Sequence, residues 1–280
     1  MNTKKVLLLC FWALLALFLA DLGLAEKKVL RMATTTSTDN TGLLDYLAPI
    51  FKKDTGIELQ WIAVGTGKAL KLGQNCDVDI LMVHAPSAEK AFIKAGYGIN
   101  RREIMYNDFI IVGPPDDPAG IKGMSATEAL RKIANQKAIF VSRGDHSGTH
   151  KKEETLWKTA GIDPNKLDKE PWYIQTGQGM LATLNVASEK RGYTLTDRGT
   201  FIKYEATLKG KPILVILVEG DKIIRNQYSV IEINPEHCPN VKNDLARTFS
   251  DWITSPKIQQ AIANFRLMGK QLFIPNAKTK

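Results

Sequence analysis

The feature that most restricts the fold of this 280-residue chain is a repeated unit of strand, short polar loop and helix. Residues 29–33 have the pattern of a strand, hydroxyl residues follow, and residues 43–51 carry apolar side chains at helical spacing. A second unit follows at 57–72 and a third strand at 78–83. Strands that alternate with helices predict an α/β fold with parallel sheets and ligand-facing loops at the strand carboxyl ends.

The same alternation continues to the end of the chain. Strand patterns occupy residues 109–114, 138–141, 212–219 and 228–233, and helical patterns occupy 126–135, 149–160 and 244–265, the last broken at Ser255-Pro256. From this order we predict a discontinuous first lobe, residues 26–108 and 200–280. The second lobe, residues 109–199, is inserted between its two parts.

The first 25 residues have the pattern of a secretory signal peptide. Lys4 and Lys5 precede an apolar run at 6–20, and Gly23-Leu24-Ala25 has the form of a cleavage site. The run is shorter than the roughly 20 residues that a membrane-spanning helix needs. We therefore predict cleavage after Ala25 and export to the periplasm.

Charge and cysteine content exclude some classes of protein. The 38 basic and 29 acidic residues give a net charge of +9, which raises the encounter rate of an anionic ligand. The basic residues are dispersed and form no stripe, so nucleic acid is not expected as a partner. Outside the signal peptide only Cys76 and Cys238 remain, and their spacing leaves open whether they pair. No zinc-type spacing accompanies them, so no metal-cation site is predicted.

Three polar loops lie where a predicted strand meets the next helix. They are residues 34–37, 65–67 and 142–149. Helix N-termini at such places present unpaired N–H groups and the positive end of a dipole, which together bind anions. Arg143 adds a planar cation suited to an oxyanion, and Gly144 and Gly148 permit close approach of the backbone. Each loop alone could be a simple helix cap. The loop at 65–67 lacks the spacing of a nucleotide-binding phosphate loop.

Sequence motifs along nearly the whole mature chain resemble the tungstate-binding protein family (TupA) of bacterial ABC importers. The resemblance lies in Ala33-Thr34-Thr35-Thr36-Ser37, Thr41-Gly42-Leu43-Leu44-Asp45, Ala63-Val64-Gly65-Thr66-Gly67, Met105-Tyr106-Asn107-Asp108-Phe109, Ser142-Arg143-Gly144-Asp145-His146-Ser147-Gly148-Thr149-His150-Lys151-Lys152-Glu153, Gly177-Gln178-Gly179-Met180 and Tyr193-Thr194-Leu195-Thr196-Asp197-Arg198-Gly199.

The resemblance implies a type II periplasmic-binding fold. This fold has two α/β lobes joined by a two-segment hinge, here near residues 106–109 and 193–199, with the anion site in the cleft. One lobe would supply Thr35, Thr36 and Ser37, with Thr66 nearby, and the other would close with Arg143, Ser147, Gly148 and Thr149. The expected protein is a monomer without cofactors that delivers tungstate to a permease and its ATPase.

A wider resemblance to phosphate-binding proteins bears on the choice of anion. Those proteins carry an Asp before Ala-Pro at the end of a first-lobe strand, where this chain has His84. Phosphate retains a proton near neutral pH that a carboxylate can accept, whereas tungstate has none. His84 therefore favours a fully ionised anion, either by contact with that anion or as a neighbour of the residues that bind it. Asp145 is expected to orient the guanidinium of Arg143. Molybdate is the main alternative ligand, followed by sulfate and phosphate.

A hydrolase is the alternative from a different class of protein. It would use Ser147 or Thr149 with His146 or His150 and Asp145. Residues adjacent on one loop rarely have the mutual geometry of nucleophile, base and orienting acid. The sequence therefore favours a binding protein over an enzyme.

Overall fold

The computed structural model describes residues 28–208 and 213–278. The predicted signal peptide lies outside these residues. Among the described residues, no helix is both long enough and apolar enough to cross a membrane.

The described chain alternates between strands and helices. The strands are β1 (Val29–Thr35), β2 (Glu58–Val64), β3 (Ile80–Val83), β4 (Gly98–Gly113), β5 (Phe140–Ser142), β6 (Tyr173–Gln175), β7 (Thr194–Asp197), β8 (Val215–Val218), β9 (Arg225–Ile233), β10 (Arg266–Leu267), β11 (Lys270–Gln271) and β12 (Ile274–Pro275). The α-helices are α1 (Thr36–Asp39), α2 (Leu43–Thr55), α3 (Thr66–Gln74), α4 (Pro86–Lys94), α5 (Ala126–Gln136), α6 (Gly148–Thr159), α7 (Pro164–Leu167), α8 (Met180–Lys190), α9 (Arg198–Thr207), α10 (Asn243–Ile253) and α11 (Pro256–Asn264).

The main sheet has the strand order β12-β4-β9-β3-β1-β2. Strands β2, β1 and β3 are parallel, as the alternation of strands and helices predicts. Strand β9 is antiparallel to both β3 and β4, so the prediction of purely parallel sheets is wrong for this half of the sheet. The sequence could not reveal this, because β9 pairs with strands that lie more than 100 residues away along the chain.

Strand β4 connects two regions of the fold. Its first part pairs with β9 in the main sheet, and its last part, from Phe109 to Gly113, pairs with β7 and β8. A buried cluster around Leu30, Phe51 and Phe249 forms the core beside the main sheet. A separate cluster around Ile111, Phe140 and Trp157 packs beyond Phe109.

The chain from β8 to Ile224 packs with the second region before β9 enters the main sheet. Strand β8 pairs with the end of β4, and Leu217, Val218 and Ile224 belong to the second region's core. Apolar periodicity identifies β8 as a strand without showing which sheet receives it.

The two regions are held together where β4 passes between them. Arg198, the first residue of α9, donates to both carboxylate oxygens of Asp108 on β4 and also to Glu219. These charge-assisted hydrogen bonds raise the pKa of Arg198 and keep it charged. The Gly220 N–H also donates to Asp108, at 3.4 Å. One buried carboxylate thus joins three segments at the crossing.

Cys76 and Cys238 form a disulfide bond, which settles a point that spacing alone left open. Cys76 lies just beyond the end of α3, and Cys238 is fully buried against Val78 and Ile233. A ring nitrogen of His237 and the two sulfur atoms lie within 4.8 Å of one another, which is a spacing that could suit a metal ion. Because the sulfur atoms are bonded to each other, they offer no thiolate ligands.

Candidate functional site

Three loops of the first region meet at one edge of the main sheet. The parallel strands β3, β1 and β2 are neighbours, with Thr34 beside Met82 and Thr35 beside Val64. Because parallel strands end at the same edge, the segments that follow them lie side by side. The segments begin with His84 after β3, Thr36 after β1 and Gly65 after β2.

The hydroxyl groups after β1 form a compact cluster. Thr35 Oγ1 accepts a hydrogen bond from the Thr38 N–H at 3.2 Å and lies 2.7 Å from Thr38 Oγ1. Ser37 Oγ is 3.1 Å from Thr35 Oγ1. Thr35 is buried at the end of the strand and Ser37 is exposed. A buried hydroxyl therefore holds an exposed one in place.

His84 touches this hydroxyl cluster. Its Nε2 lies 3.0 Å from Thr35 Oγ1 and 2.9 Å from Ser37 Oγ, and its Nδ1 lies 2.9 Å from Asn226 Oδ1. Asn226 donates through its amide nitrogen to Asn107, so its oxygen accepts from His84 Nδ1–H. Nε2 of a neutral ring is then an acceptor for a Thr35 or Ser37 hydroxyl.

Burial determines the charge of His84. It lowers the pKa of the ring, while the Asn226 hydrogen bond and the charge of Asp197 act in the opposite direction with smaller effect. The ring also stacks on Tyr228, with centroids 4.7 Å apart. A neutral His84 therefore adds no charge beside the hydroxyls of Thr35 and Ser37.

Thr36 and Thr66 occupy equivalent places on neighbouring loops. Thr36 is exposed at the start of α1, and Thr66 is partly buried as the first residue of α3 after Gly65. The first N–H groups of α3 have no partners within the helix. Thr36 lies between Thr35 and Ser37 in the chain, and Thr66 lies two residues beyond Val64, the partner of Thr35 on β2.

The loop after β5 holds Arg143 in a defined position. Its guanidinium Nη2 donates to Asp145 Oδ2 at 2.5 Å, and the side chain is only 18% exposed. Among the described atoms, Arg143 Nε is buried without a hydrogen-bond partner. An unsatisfied buried donor on a cation is costly, and an anion oxygen would satisfy it.

Glycine permits the backbone turn that places Arg143. Gly144 has a φ of +60°, and a Cβ there would lie 2.7 Å from Gln175 Cβ. Both the left-handed conformation and the close contact exclude larger residues without distortion. This glycine is needed for the shape of the loop.

Asp145 orients its neighbours. Its Oδ1 accepts the Ser147 N–H at 3.2 Å, while Oδ2 receives Arg143. Partial burial acts to raise the pKa of Asp145, but the hydrogen bonds from Ser147 and Arg143 outweigh it and lower the pKa. Asp145 is therefore an ionised carboxylate that holds the guanidinium of Arg143.

Ser147 caps the helix that follows the Arg143 loop. Its Oγ accepts the His150 N–H at 3.3 Å, which leaves the first N–H groups of α6, on Gly148 and Thr149, without helical partners. His150 Nδ1 accepts the His146 N–H at 3.0 Å. Both contacts build the turn, and neither pairs a hydroxyl with an imidazole base as a hydrolase would require.

Sequence reasoning missed two groups of residues near these loops. The first is the segment before α8, where the Gly177 N–H donates to the Arg143 carbonyl at 2.8 Å and the Thr176 N–H donates to the Ser142 carbonyl. Its signal was Gly177-Gln178-Gly179 before an apolar helix. The second comprises Asn107, Asn226 and Tyr228, which support His84 from distant strands. Asn107 lies in the motif at 105–109, whereas Asn226 and Tyr228 lie in no motif.

The arrangement provides donors and positive charge with few free acceptors. The Arg143 loop offers a guanidinium and helix N–H groups, and the Thr35 cluster offers hydroxyls. A fully ionised oxyanion has only acceptors to offer. Such a donor set therefore fits an anion of this kind.

Comparisons with known proteins agree with this chemistry. A family profile described as a PBP superfamily domain matches residues 25–257. The tungstate-binding protein TupA of Campylobacter jejuni is 53% identical over 244 residues, which cover 87% of this chain and 90% of that protein. In a solved structure, the tungstate-binding protein TupA of Desulfovibrio alaskensis is 66% identical, with a TM-score of 0.87 and coverage of 90% of this chain and 100% of that one. The structure titled as the tungstate ABC transporter from Geobacter sulfurreducens is 48% identical, with a TM-score of 0.69 and coverage of 85% and 98%.

Proposed function

Because this chain belongs to the TupA tungstate-binding proteins of the PBP superfamily, we propose that it captures tungstate in the periplasm for import by an ABC transporter. The family consists of binding proteins and not of enzymes. The same periplasmic-binding-protein-like α/β fold supports the proposal. Delivery would be to a membrane permease with its ATPase, and the protein would act as a monomer without a cofactor.

The observation that carries the proposal is the state of Arg143. The guanidinium is largely buried, is held at one end by Asp145, and keeps a buried Nε without a partner. A tungstate oxygen at this position would receive charge-assisted hydrogen bonds from Arg143 and from the N–H groups that begin α6. Ser147, Gly148 and Thr149 would then complete this half of the site.

The Thr35 cluster supports the other half of the site. Thr35, Thr36, Ser37 and Thr66 would supply hydroxyl and N–H donors, with neutral His84 behind them. About six or seven charge-assisted hydrogen bonds, at 1.5 to 3 kcal/mol each, are enough for nanomolar affinity after the costs of ordering. His84 would act by holding the Thr35 and Ser37 hydroxyls.

We further propose that the two regions are the lobes of a type II fold and that the anion binds in the cleft between them. The pairing of β8 with β4 favours lobe boundaries at 108/109 and near 224/225. The hinge would then consist of the middle of β4 and the start of β9, tied by Arg198 and Asp108. Closure would bring the Arg143 loop over an anion docked on the Thr35 cluster.

The test is calorimetry of residues 26–280 with tungstate, molybdate, sulfate and phosphate in one buffer. We expect tungstate to bind, with sulfate and phosphate far weaker. Absence of binding by all four anions would refute the proposed function. Tightest binding of phosphate would refute the interpretation of His84.

Variants test the site residues separately from the fold. Arg143→Ala removes at least two charge-assisted bonds, so the Kd for tungstate should rise by about 100-fold or more. Arg191→Ala is the matched control, since Arg191 lies in the same region and forms an exposed pair with Asp116. Asp145→Asn should weaken binding only modestly. An unchanged Kd for Arg143→Ala would remove Arg143 from the site.

A further inference from the structure

A buried acid lies behind the Arg143 loop without a cation to balance it. Glu153 on α6 is 2% exposed, and within the described ranges no Lys, Arg or His forms an ion pair with it. Its carboxylate accepts from Tyr173 OH at 2.6 Å, Ser142 Oγ at 2.8 Å and Trp157 Nε1 at 3.1 Å. A buried carboxylate without a cation is costly in a protein interior.

Burial sets the protonation of Glu153 near neutral pH. It raises the pKa of this carboxyl to about 7, while the hydrogen bonds from Tyr173, Ser142 and Trp157 act to lower it. The neighbouring Glu154 raises it slightly. A small change in local charge therefore changes the protonation of Glu153 at neutral pH.

The acid is connected to the Arg143 loop through Ser142. Ser142 Oγ donates to Glu153 Oε2 and accepts the Gly144 N–H at 3.2 Å. The carboxylate is therefore two hydrogen bonds away from the loop that would hold the anion. A negative charge arriving at the loop would disfavour ionised Glu153, since like charges raise the pKa of a carboxyl group.

The surrounding groups can accommodate one added proton. When Glu153 is protonated, its Oε2–H can donate to Ser142 Oγ, which also accepts the Gly144 N–H. Tyr173 and Trp157 can still donate to Oε1. Each carboxyl oxygen of Glu153 then keeps a hydrogen-bond partner.

We propose that Glu153 is a positioning residue that takes up one proton when the oxyanion binds. The inference rests on the proposed function, which places the anion at Arg143. The proton cancels the charge beneath the loop and comes from solvent, so binding at alkaline pH consumes a proton. Above pH 7 the apparent affinity should then fall by up to about tenfold per pH unit, and below pH 7 it should be nearly constant.

Other ionisable groups lie around Glu153 and must be distinguished from it. Glu154 is the next residue on α6. The negative charge of Asp168 raises the pKa of Tyr173. Arg143 and Asp145 lie on the loop as an ion pair. His150, on the same helix, has its Nε2 3.8 Å from Glu154 Oε1, and its ring centroid lies 5.5 Å from that of His146. His150→Asn is therefore the matched control, since an Asn Oδ1 can replace Nδ1 as acceptor for the His146 N–H.

The test is tungstate calorimetry at pH 8 in two buffers with different ionisation enthalpies, which measures proton uptake directly. The wild type should take up roughly one proton per bound anion. Glu153→Gln should bind tungstate without proton uptake, and His150→Asn should bind it with the same proton uptake as the wild type. Wild-type binding without uptake, or undiminished uptake by Glu153→Gln, would overturn the inference. Absence of wild-type binding would instead refute the proposed function. The wild-type pH profile is a second measurement that does not depend on the folding of a variant.

Discussion

Loss of the Cys76–Cys238 disulfide is expected to remove a large share of the free energy of unfolding. The bond joins residues that are 162 positions apart. For a loop of this length, the entropy lost by the unfolded chain corresponds to about 5 kcal/mol at 25 °C. If residues 109–224 stay folded while the first region unfolds, the flexible part shortens to roughly 50 residues and the expected loss is about 4 kcal/mol.

Urea denaturation measures this effect. Wild type would be unfolded in its oxidised form and again in the presence of a reductant, followed by circular dichroism. The double variant Cys76→Ser, Cys238→Ala, compared with reduced wild type, isolates the effect of the side-chain replacements. A difference below about 1 kcal/mol between the oxidised and reduced forms would refute the argument from unfolded-chain entropy.

The same variant tests whether the disulfide is purely structural. Cys76 follows the C-terminal end of the nine-residue helix α3, whose first residue is Thr66. The bond is therefore about 13 Å of helix away from the proposed site. We expect the Kd for tungstate to be unchanged in the double variant. A tenfold loss of affinity in a folded variant would show that the bond also positions the site.

Three further predictions concern the loop, a buried hydroxyl and pH. Gly144→Ala should raise the Kd for tungstate at least about tenfold while retaining the fold, because the backbone there is left-handed and the added Cβ would press on Gln175. The control Gly161→Ala, also at a left-handed glycine, should change only the stability. Tyr193→Phe should lower the free energy of unfolding by about 1 to 3 kcal/mol in urea denaturation, since the buried hydroxyl accepts the Ala119 N–H at 2.7 Å and donates to Asp117 at 3.0 Å. The pKa of Glu153 is raised in the folded state from 4.5 to about 7. Its contribution to the free energy of unfolding is therefore fully present below pH 4.5 and is lost as the pH rises to 7. The change amounts to about 3 kcal/mol. Glu153→Gln should lack this slope; an equal slope in the variant would contradict the assignment.

Most of the local structure could be predicted from the sequence. Apolar periodicity located helices such as α2 and α5 to within a few residues, and the Gly161 stop after α6 lies where the chain predicts it. The polar loops at Thr35, Thr66 and Arg143 were also visible, because hydroxyl residues and glycines at strand ends form local motifs. The family resemblance that these motifs carry is confirmed.

The partners of these segments became visible in the folded structure. The pairing of β9 with β3 and β4, the place of β8 in the second region and the disulfide all join residues distant in the chain, and apolar periodicity carries no information about such partners. The environment of His84 and the burial of Glu153 without a paired cation depend on the same long-range packing. Burial and neighbouring charge set the pKa of such groups, so their protonation states follow from the folded structure and not from residue type.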